Sequence, residues 1–249
     1  MDVKSLFLNS ELEELVYTEV PEGVSVPATP TSSDYQRPVA CRLLKSIYGL
    51  KQSPRAWYGR IYSFFSSNNF VHSLSDHSLF INYEGQLILL LYVHDVILAA
   101  PTRDQVNLIR LKLYSEFAMT DQGDLKTILG LEIYRDRKKR TLHLSQRQYI
   151  RKILGVHGMQ QCKPVSTPAD PHVRLERSSE EFQATPKDRQ RYQSAVRLLM
   201  YAMLGMRSDI AYAVSRVSQY GANPHKSDCT AVKRIFRYPM GTTDIGLGH

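Results

Sequence analysis

The sequence predicts an α+β protein: an antiparallel sheet with helices packed on one face, then a linker, then a helical region from about residue 187. Three observations carry this reading. Short apolar runs at residues 79–81, 87–92 and 96–100 are bounded by turn residues, as buried strands are. Apolar residues at three- and four-residue steps flank these runs on both sides, which is the helical period. Beyond Lys187 that period is almost unbroken.

Taken in chain order, residues 24–38 hold Pro27, Pro30 and Pro38 around Thr31-Ser32-Ser33-Asp34 and read as an exposed connector. A helix is expected over residues 54–65, where Pro54 suits the first turn and Trp57, Ile61, Phe64 and Phe65 recur at helical spacing. The strands at 87–92 and 96–100 are close enough to form a tight hairpin through His94-Asp95. Leu108, Leu111, Leu113 and Phe117 mark the next helix. Residues 128–134 and 141–144 read as a second hairpin around Asp136-Arg137-Lys138-Lys139-Arg140. Residues 166–186, with Pro168, Pro171 and Pro186, form the linker. Amphipathic helices follow at 189–203, at 209–220 with Ser208 as candidate N-cap, and at 226–238.

Length and composition bound the class of protein. A chain of 249 residues with 43% hydrophobic and 22% charged content can bury a sizeable core in one large domain or two lobes. Cys41, Cys162 and Cys229 are widely spaced and form no C-x-x-C pair, so neither a disulfide framework nor a zinc knuckle is signalled. The most apolar stretch, 87–100, is interrupted by His94-Asp95 and falls short of the roughly 20 apolar residues of a membrane span. No signal peptide opens the chain, and an intracellular location, cytoplasmic or nuclear, is expected. A net charge of +8 points towards polyanionic partners such as nucleic acid. That charge is unevenly held. The first 25 residues are acidic, with Asp2, Glu11, Glu13, Glu14, Glu19 and Glu22 against Lys4, whereas residues 135–152 concentrate Arg and Lys.

The turn Tyr92-Val93-His94-Asp95 is the most informative short motif, because two apolar strands lift a carboxylate to the end of a sheet. Taken alone, Asp95 reads as a turn former rather than a catalyst, and its context reverses that reading. Around it stand Asp2-Val3-Lys4-Ser5-Leu6-Phe7-Leu8-Asn9, Val16-Tyr17-Thr18-Glu19-Val20-Pro21-Glu22-Gly23, and Cys41 to Tyr58 with its core Tyr48-Gly49-Leu50-Lys51-Gln52-Ser53-Pro54-Arg55-Ala56-Trp57. Further on come Leu129-Gly130-Leu131-Glu132-Ile133, Ser166-Thr167-Pro168, Tyr192-Gln193-Ser194-Ala195-Val196 and Arg207-Ser208-Asp209-Ile210-Ala211-Tyr212. These blocks, in this order and over nearly the whole chain, closely resemble the reverse transcriptase of copia-type LTR retrotransposon Pol polyproteins (Pseudoviridae).

The resemblance implies an RNA-directed DNA polymerase whose palm-like antiparallel sheet holds two Mg²⁺ ions between carboxylates, acting on an RNA template, a DNA primer and deoxynucleotide triphosphates. Within it, Asp2 and Asp95 match metal ligands, and the carbonyl of Val3 is an additional candidate. Phe7 looks like the aromatic gate against a ribose 2′-hydroxyl; read without the family it is one more core aromatic. Lys51, Gln52 and Arg55 are expected over nucleotide and template, although the same residues also suit a capped surface helix. Tyr92 and the strand Leu129-Gly130-Leu131 are expected at the primer, the glycine permitting close approach of its backbone or simply marking a bulge. Arg137, Lys138, Lys139 and Arg140 are candidate phosphate contacts, or a solvated hairpin tip. The implied regions are a palm, partial fingers and primer grip at 1–165, a linker at 166–186, and a helical, connection-like region at 187–249 leading towards an absent RNase H.

Two departures from the family shape the functional expectation. The family turn carries two adjacent aspartates, but here His94 replaces the first. A neutral imidazole brings no negative charge and is a poor Mg²⁺ ligand, though Mn²⁺ accepts nitrogen more readily. The second departure is truncation: Asp2 follows Met1 at once, without the upstream fingers segments, and Pro239 is expected to interrupt the last helix. The sequence therefore reads as a reverse transcriptase fragment whose chemistry is defective, a pseudoenzyme; the alternative is a non-catalytic nucleic-acid-binding remnant or pseudogene product.

Overall fold

The structure is a computed structural model that describes residues 1–25, 40–176 and 182–248. Most of the expected connector at 24–38 and the middle of the expected linker at 166–186 lie outside the described residues. Two compact units make up the chain, Met1–Asp124 and Leu125–His249.

In the first unit the elements run β1 (Asp2–Val3), β2 (Tyr17–Glu19), β3 (Ala40–Arg42), α1 (Ser53–Ser67), β4 (Val71–His72), β5 (Leu79–Asn82), β6 (Leu87–Tyr92), β7 (Asp95–Ala99), α2 (Arg103–Glu116) and β8 (Met119–Thr120), with a 3₁₀ turn at Leu6–Asn9. Six strands form one antiparallel sheet in the order β4-β5-β6-β7-β1-β8. Strands β2 and β3 form a separate ribbon.

Alternation along β6 decides which face is covered: Leu87, Leu89 and Leu91 are buried, while Ile88 and Tyr92 are exposed. Trp57, Ile61 and Phe65 from α1 and Ile109 and Leu113 from α2 join these residues in one core. The helix expected at 54–65 is present and begins at Ser53, with Pro54 in its first turn and Ser53 Oγ donating to Ile47 O at 2.6 Å. Thr102 and Gln105 start α2 with a reciprocal capping box. Its buried face differs from the one expected. Leu108 and Leu111 are exposed, and Ile109 and Leu113, four residues apart, point inward with Phe117.

In the second unit β9 (Thr127–Ile128), β10 (Leu131–Asp136), β11 (Thr141–Ser145) and β12 (Gly246–Gly248) make an antiparallel sheet in the order β12-β11-β10-β9. Its helices are α3 (Arg147–Val156), α4 (Pro186–Gly205), α5 (Ala211–Ser218) and α6 (Lys226–Gly241). Ile150, Ile153 and Leu154 of α3 bury with Tyr192, Leu199, Val214 and Phe236 in the core of this unit. For that reason the compact units part at 124/125, whereas the functional regions expected from sequence divide at 165/166.

Three local expectations are corrected here. The strand expected at 128–134 is broken, because Ile128 pairs with Leu131 and leaves Leu129 and Gly130 as a two-residue hairpin turn with φ of 49° and 72°. Ser208 makes no side-chain cap: it opens a short 3₁₀ segment, Ser208–Ile210, and α5 starts at Ala211. Pro239 does not end the last helix. It sits buried inside the final turn of α6, which continues to Gly241, since a proline that near the C-terminus removes one ladder bond while its ring packs inward.

Candidate active site

The β6–β7 hairpin closes with Tyr92 paired to Asp95, so Val93 and His94 are the two turn residues. Val93 has φ of 55°, a left-handed conformation that a β-branched residue adopts only under constraint. Two hydrogen bonds supply that constraint. Trp57 Nε1 of the buried α1 face donates to Val93 O at 2.9 Å, and the N–H of Val3 donates to His94 O at 2.9 Å. The second bond also ties the turn to β1.

Strand β1 lies between β7 and β8, with Asp2 opposite Asp95 and opposite Thr120. Its neighbour Val3 is buried in the core, which turns Asp2 to the other face. The consequence is a three-residue group. His94 Nδ1 lies 3.0 Å from Asp2 Oδ1 and 3.5 Å from Asp95 Oδ1, and one ligand atom from each residue lies within 4.8 Å of the others. The His94 ring is half-exposed, so the group is open to solvent.

This donor set does not fit two Mg²⁺ ions. Mg²⁺ takes oxygen ligands in near-octahedral geometry and disfavours nitrogen. Two carboxylates carry two negative charges against the four positive charges of an ion pair.

The remaining expected site residues fall into separate places. Phe7, in the 3₁₀ turn after β1, packs against the first core and makes an edge contact with the exposed ring of Tyr48 at 4.7 Å. This contact joins the Asp2 block to the Tyr48–Trp57 block. Lys51 and Arg55 are exposed around the start of α1, and Gln52 is its N-cap residue, without a side-chain capping bond. Tyr92 is exposed beside the turn.

In the second unit, Leu129 and Gly130 form the turn described above and Leu131 begins β10. The Tyr201 hydroxyl donates to Leu129 O and lies over Gly130, where an added Cβ would meet it at 3.5 Å. Arg137, Lys138, Lys139 and Arg140 connect β10 to β11, and all four are exposed. Asp136 Oδ1 accepts from the N–H groups of Lys138 and Lys139 at 3.0 and 3.1 Å, while Arg140 has φ of 54°. A groove of about 520 Å³ runs along this tip, lined by Tyr134, Arg135, Arg137, Lys138 and His143 among others.

Sequence reasoning missed three contributors: Trp57 as the donor to the turn, Tyr48 as the partner of Phe7, and Tyr201 as the support of Leu129. Trp57 sits at helical spacing and reads as a packing residue, which hides its polar end. No helix among the described residues is long and apolar enough to cross a membrane.

The family described as reverse transcriptase (RNA-dependent DNA polymerase) matches residues 1–171, and the chain belongs to it. More particularly, it is a copia-type reverse transcriptase domain of the kind found in retrotransposon Pol polyproteins. It is 39% identical over 98% of its length to the retrovirus-related Pol polyprotein from transposon TNT 1-94 of Nicotiana tabacum, and 36% identical over 99% to that from transposon RE1 of Arabidopsis thaliana. The chain spans 18% and 16% of those relatives. It is also 29% identical to a transposon Ty5-1 protein of Saccharomyces cerevisiae, covering 99% of this chain and 77% of that one. No solved structure matches the chain.

Proposed function

We propose that this chain is the palm-like and primer-grip portion of a copia-type RNA-directed DNA polymerase, and that as it stands it does not perform Mg²⁺-dependent synthesis. One observation carries the second half of this reading: His94 Nδ1 stands 3.0 Å from Asp2 Oδ1, so an imidazole fills the place that the family gives to a carboxylate. Asp2 and Asp95 are the ligands such a polymerase would use, with the backbone carbonyl of Val3 beside them. RNA template, DNA primer and deoxynucleotide triphosphates are the partners. Phe7, braced by Tyr48, would exclude the ribose 2′-hydroxyl. Lys51, Gln52 and Arg55 would face nucleotide phosphates and template. Tyr92 and the Leu129-Gly130-Leu131 turn would contact primer.

Primer extension on an RNA template tests the proposal. With Mg²⁺ the unaltered chain yields no product, and the His94→Asp variant joined to the upstream fingers of a family member does. Removing one charged ligand costs several kcal/mol of transition-state stabilisation, at about 1.4 kcal/mol per tenfold in rate. Efficient Mg²⁺-dependent extension by the unaltered chain overturns the proposal.

The basic groove at the β10–β11 tip favours a second reading, a non-catalytic nucleic-acid-binding protein. Fluorescence anisotropy of a labelled RNA–DNA duplex against salt distinguishes it. Replacing Arg137, Lys138, Lys139 and Arg140 together by alanine then lowers the slope of log K against log salt by about 3, at roughly 0.7–0.9 for each phosphate that is no longer neutralised. A solvated tip leaves that slope unchanged.

A further inference from the structure

We infer that Asp2, His94 and Asp95 form a site for a single borderline-soft divalent cation of the Zn²⁺ or Co²⁺ class, selected against Mg²⁺. The donors are one imidazole nitrogen and two carboxylates, brought from β1 and from the β6–β7 turn. Charge decides the stoichiometry. Two carboxylates and a neutral imidazole balance one dication and leave a second uncompensated.

Donor type decides the class of ion, and the spacing of the donors is compatible with one shared ion. Four tetrahedral ligands at ~2.1 Å from a Zn²⁺ stand roughly 3.4 Å from one another. The nitrogen-to-oxygen separations here, 3.0 and 3.5 Å, bracket that spacing. A nitrogen donor favours later first-row ions over Mg²⁺, which is harder and holds its water more tightly. Without an ion the neutral ring carries its hydrogen on Nδ1, towards Asp2 Oδ1; with the ion bound the same hydrogen is on Nε2, through exchange with solvent, and the Nδ1 lone pair takes the cation. Half-exposure of His94 leaves the remaining coordination positions to water.

The backbone around the group is held before any ion arrives. Val3 N–H to His94 O fixes the turn against β1 and Trp57 Nε1 to Val93 O fixes it against α1, so binding orders few groups. This inference does not rest on polymerase activity. It needs only the convergence of the three side chains.

Titration of the whole chain with Co²⁺, followed by visible absorption, tests the site. A low-symmetry N,O site gives d–d bands that saturate at one equivalent. Equimolar Zn²⁺ abolishes the bands, and Mg²⁺ in ~1000-fold excess leaves them. In both His94→Ala and Asp2→Asn the Co²⁺ dissociation constant rises at least ~10-fold, with thermal melting confirming that each variant is folded. His94→Asp loses the preference for Zn²⁺ over Mg²⁺ by a similar factor. Unchanged bands in the His94→Ala and Asp2→Asn proteins, bands carrying thiolate charge transfer from cysteine, or displacement by Mg²⁺ at matching concentration each overturn the inference. Because absorption is read without primer or nucleotide, failure here and failure of the polymerase proposal are told apart.

Discussion

Arg207 is buried with its charge, and its surroundings show how a cation is kept out of water. Its Nε and Nη2 donate to the Asp209 carboxylate at 2.9 and 2.8 Å, and Nη1 and Nη2 donate to Thr242 O and Oγ1. Burial pushes the Asp209 carboxyl up, but the hydrogen bonds and charge of Arg207 outweigh it and hold the group below the usual carboxylate range. A carboxyl depressed on folding contributes stability above its unfolded pKa, near 4, and loses it as pH falls through the folded value. Asp209→Asn leaves the buried guanidinium without its counter-charge and is expected to cost about 3 kcal/mol at neutral pH. Urea midpoints of the two proteins should differ most above pH ~4 and converge below it; a constant difference across that window contradicts the assignment. The Arg207-Ser208-Asp209 block thus has a structural use within the second unit, alongside the family resemblance that it carries.

At the scale of elements, the two-residue turns of the β6–β7 and β9–β10 hairpins solve the same problem with different residues. Val93 holds positive φ in the β6–β7 turn at a position where glycine is favoured. Since Val93 is half-exposed, Val93→Gly gives up little burial, and relief of strain outweighs the entropy of glycine. A stabilisation of about 1 kcal/mol is expected by chemical denaturation, and a lowered midpoint would refute the strain. The β9–β10 turn instead has Leu129 and Gly130 both at positive φ, supported by the Tyr201 hydroxyl. Tyr201→Phe keeps the ring and removes that bond, at a cost of about 1 kcal/mol. Amide hydrogen exchange at Gly130 and Leu131 should quicken, while the α5 amides stay unchanged. Periodicity made α1, β6, β7 and α4 legible in the sequence. It also marks α3 through Ile150, Ile153 and Leu154, but Arg147, Arg151 and Lys152 drew that segment into a charge run. The glycines of β12 carry no strand signal, and only the edge offered by β11 makes Gly246–Gly248 a strand.

At the scale of the whole molecule, the two cores share no residue. One runs from Val3 to Met119 and the other from Ile150 to Phe236, each inside its own compact unit. Residues 125–249 expressed alone are therefore expected to fold, giving a helical circular dichroism spectrum and one cooperative thermal transition. A non-cooperative melt of that fragment would show that its core is incomplete without the first unit. The basic loop at 137–140 and the Asp2–His94–Asp95 group belong to different units.

What the sequence determined by itself was the class: an α+β chain with a reverse transcriptase motif order, a basic loop at 137–140, and a histidine where the family turn carries aspartate. These follow from local spacing and residue identity, which need no partner to be read. What only the tertiary structure decided was convergence. Asp2 and Asp95 meet because β1, two residues long and without any periodic signal, is inserted between β7 and β8 in one register. A slip of one residue would send Asp2 into the core and Val3 to the surface, and burial of Val3 forbids it. The same register sets His94 Nδ1 against Asp2 and turns an aspartate-to-histidine difference into a defined N,O,O group.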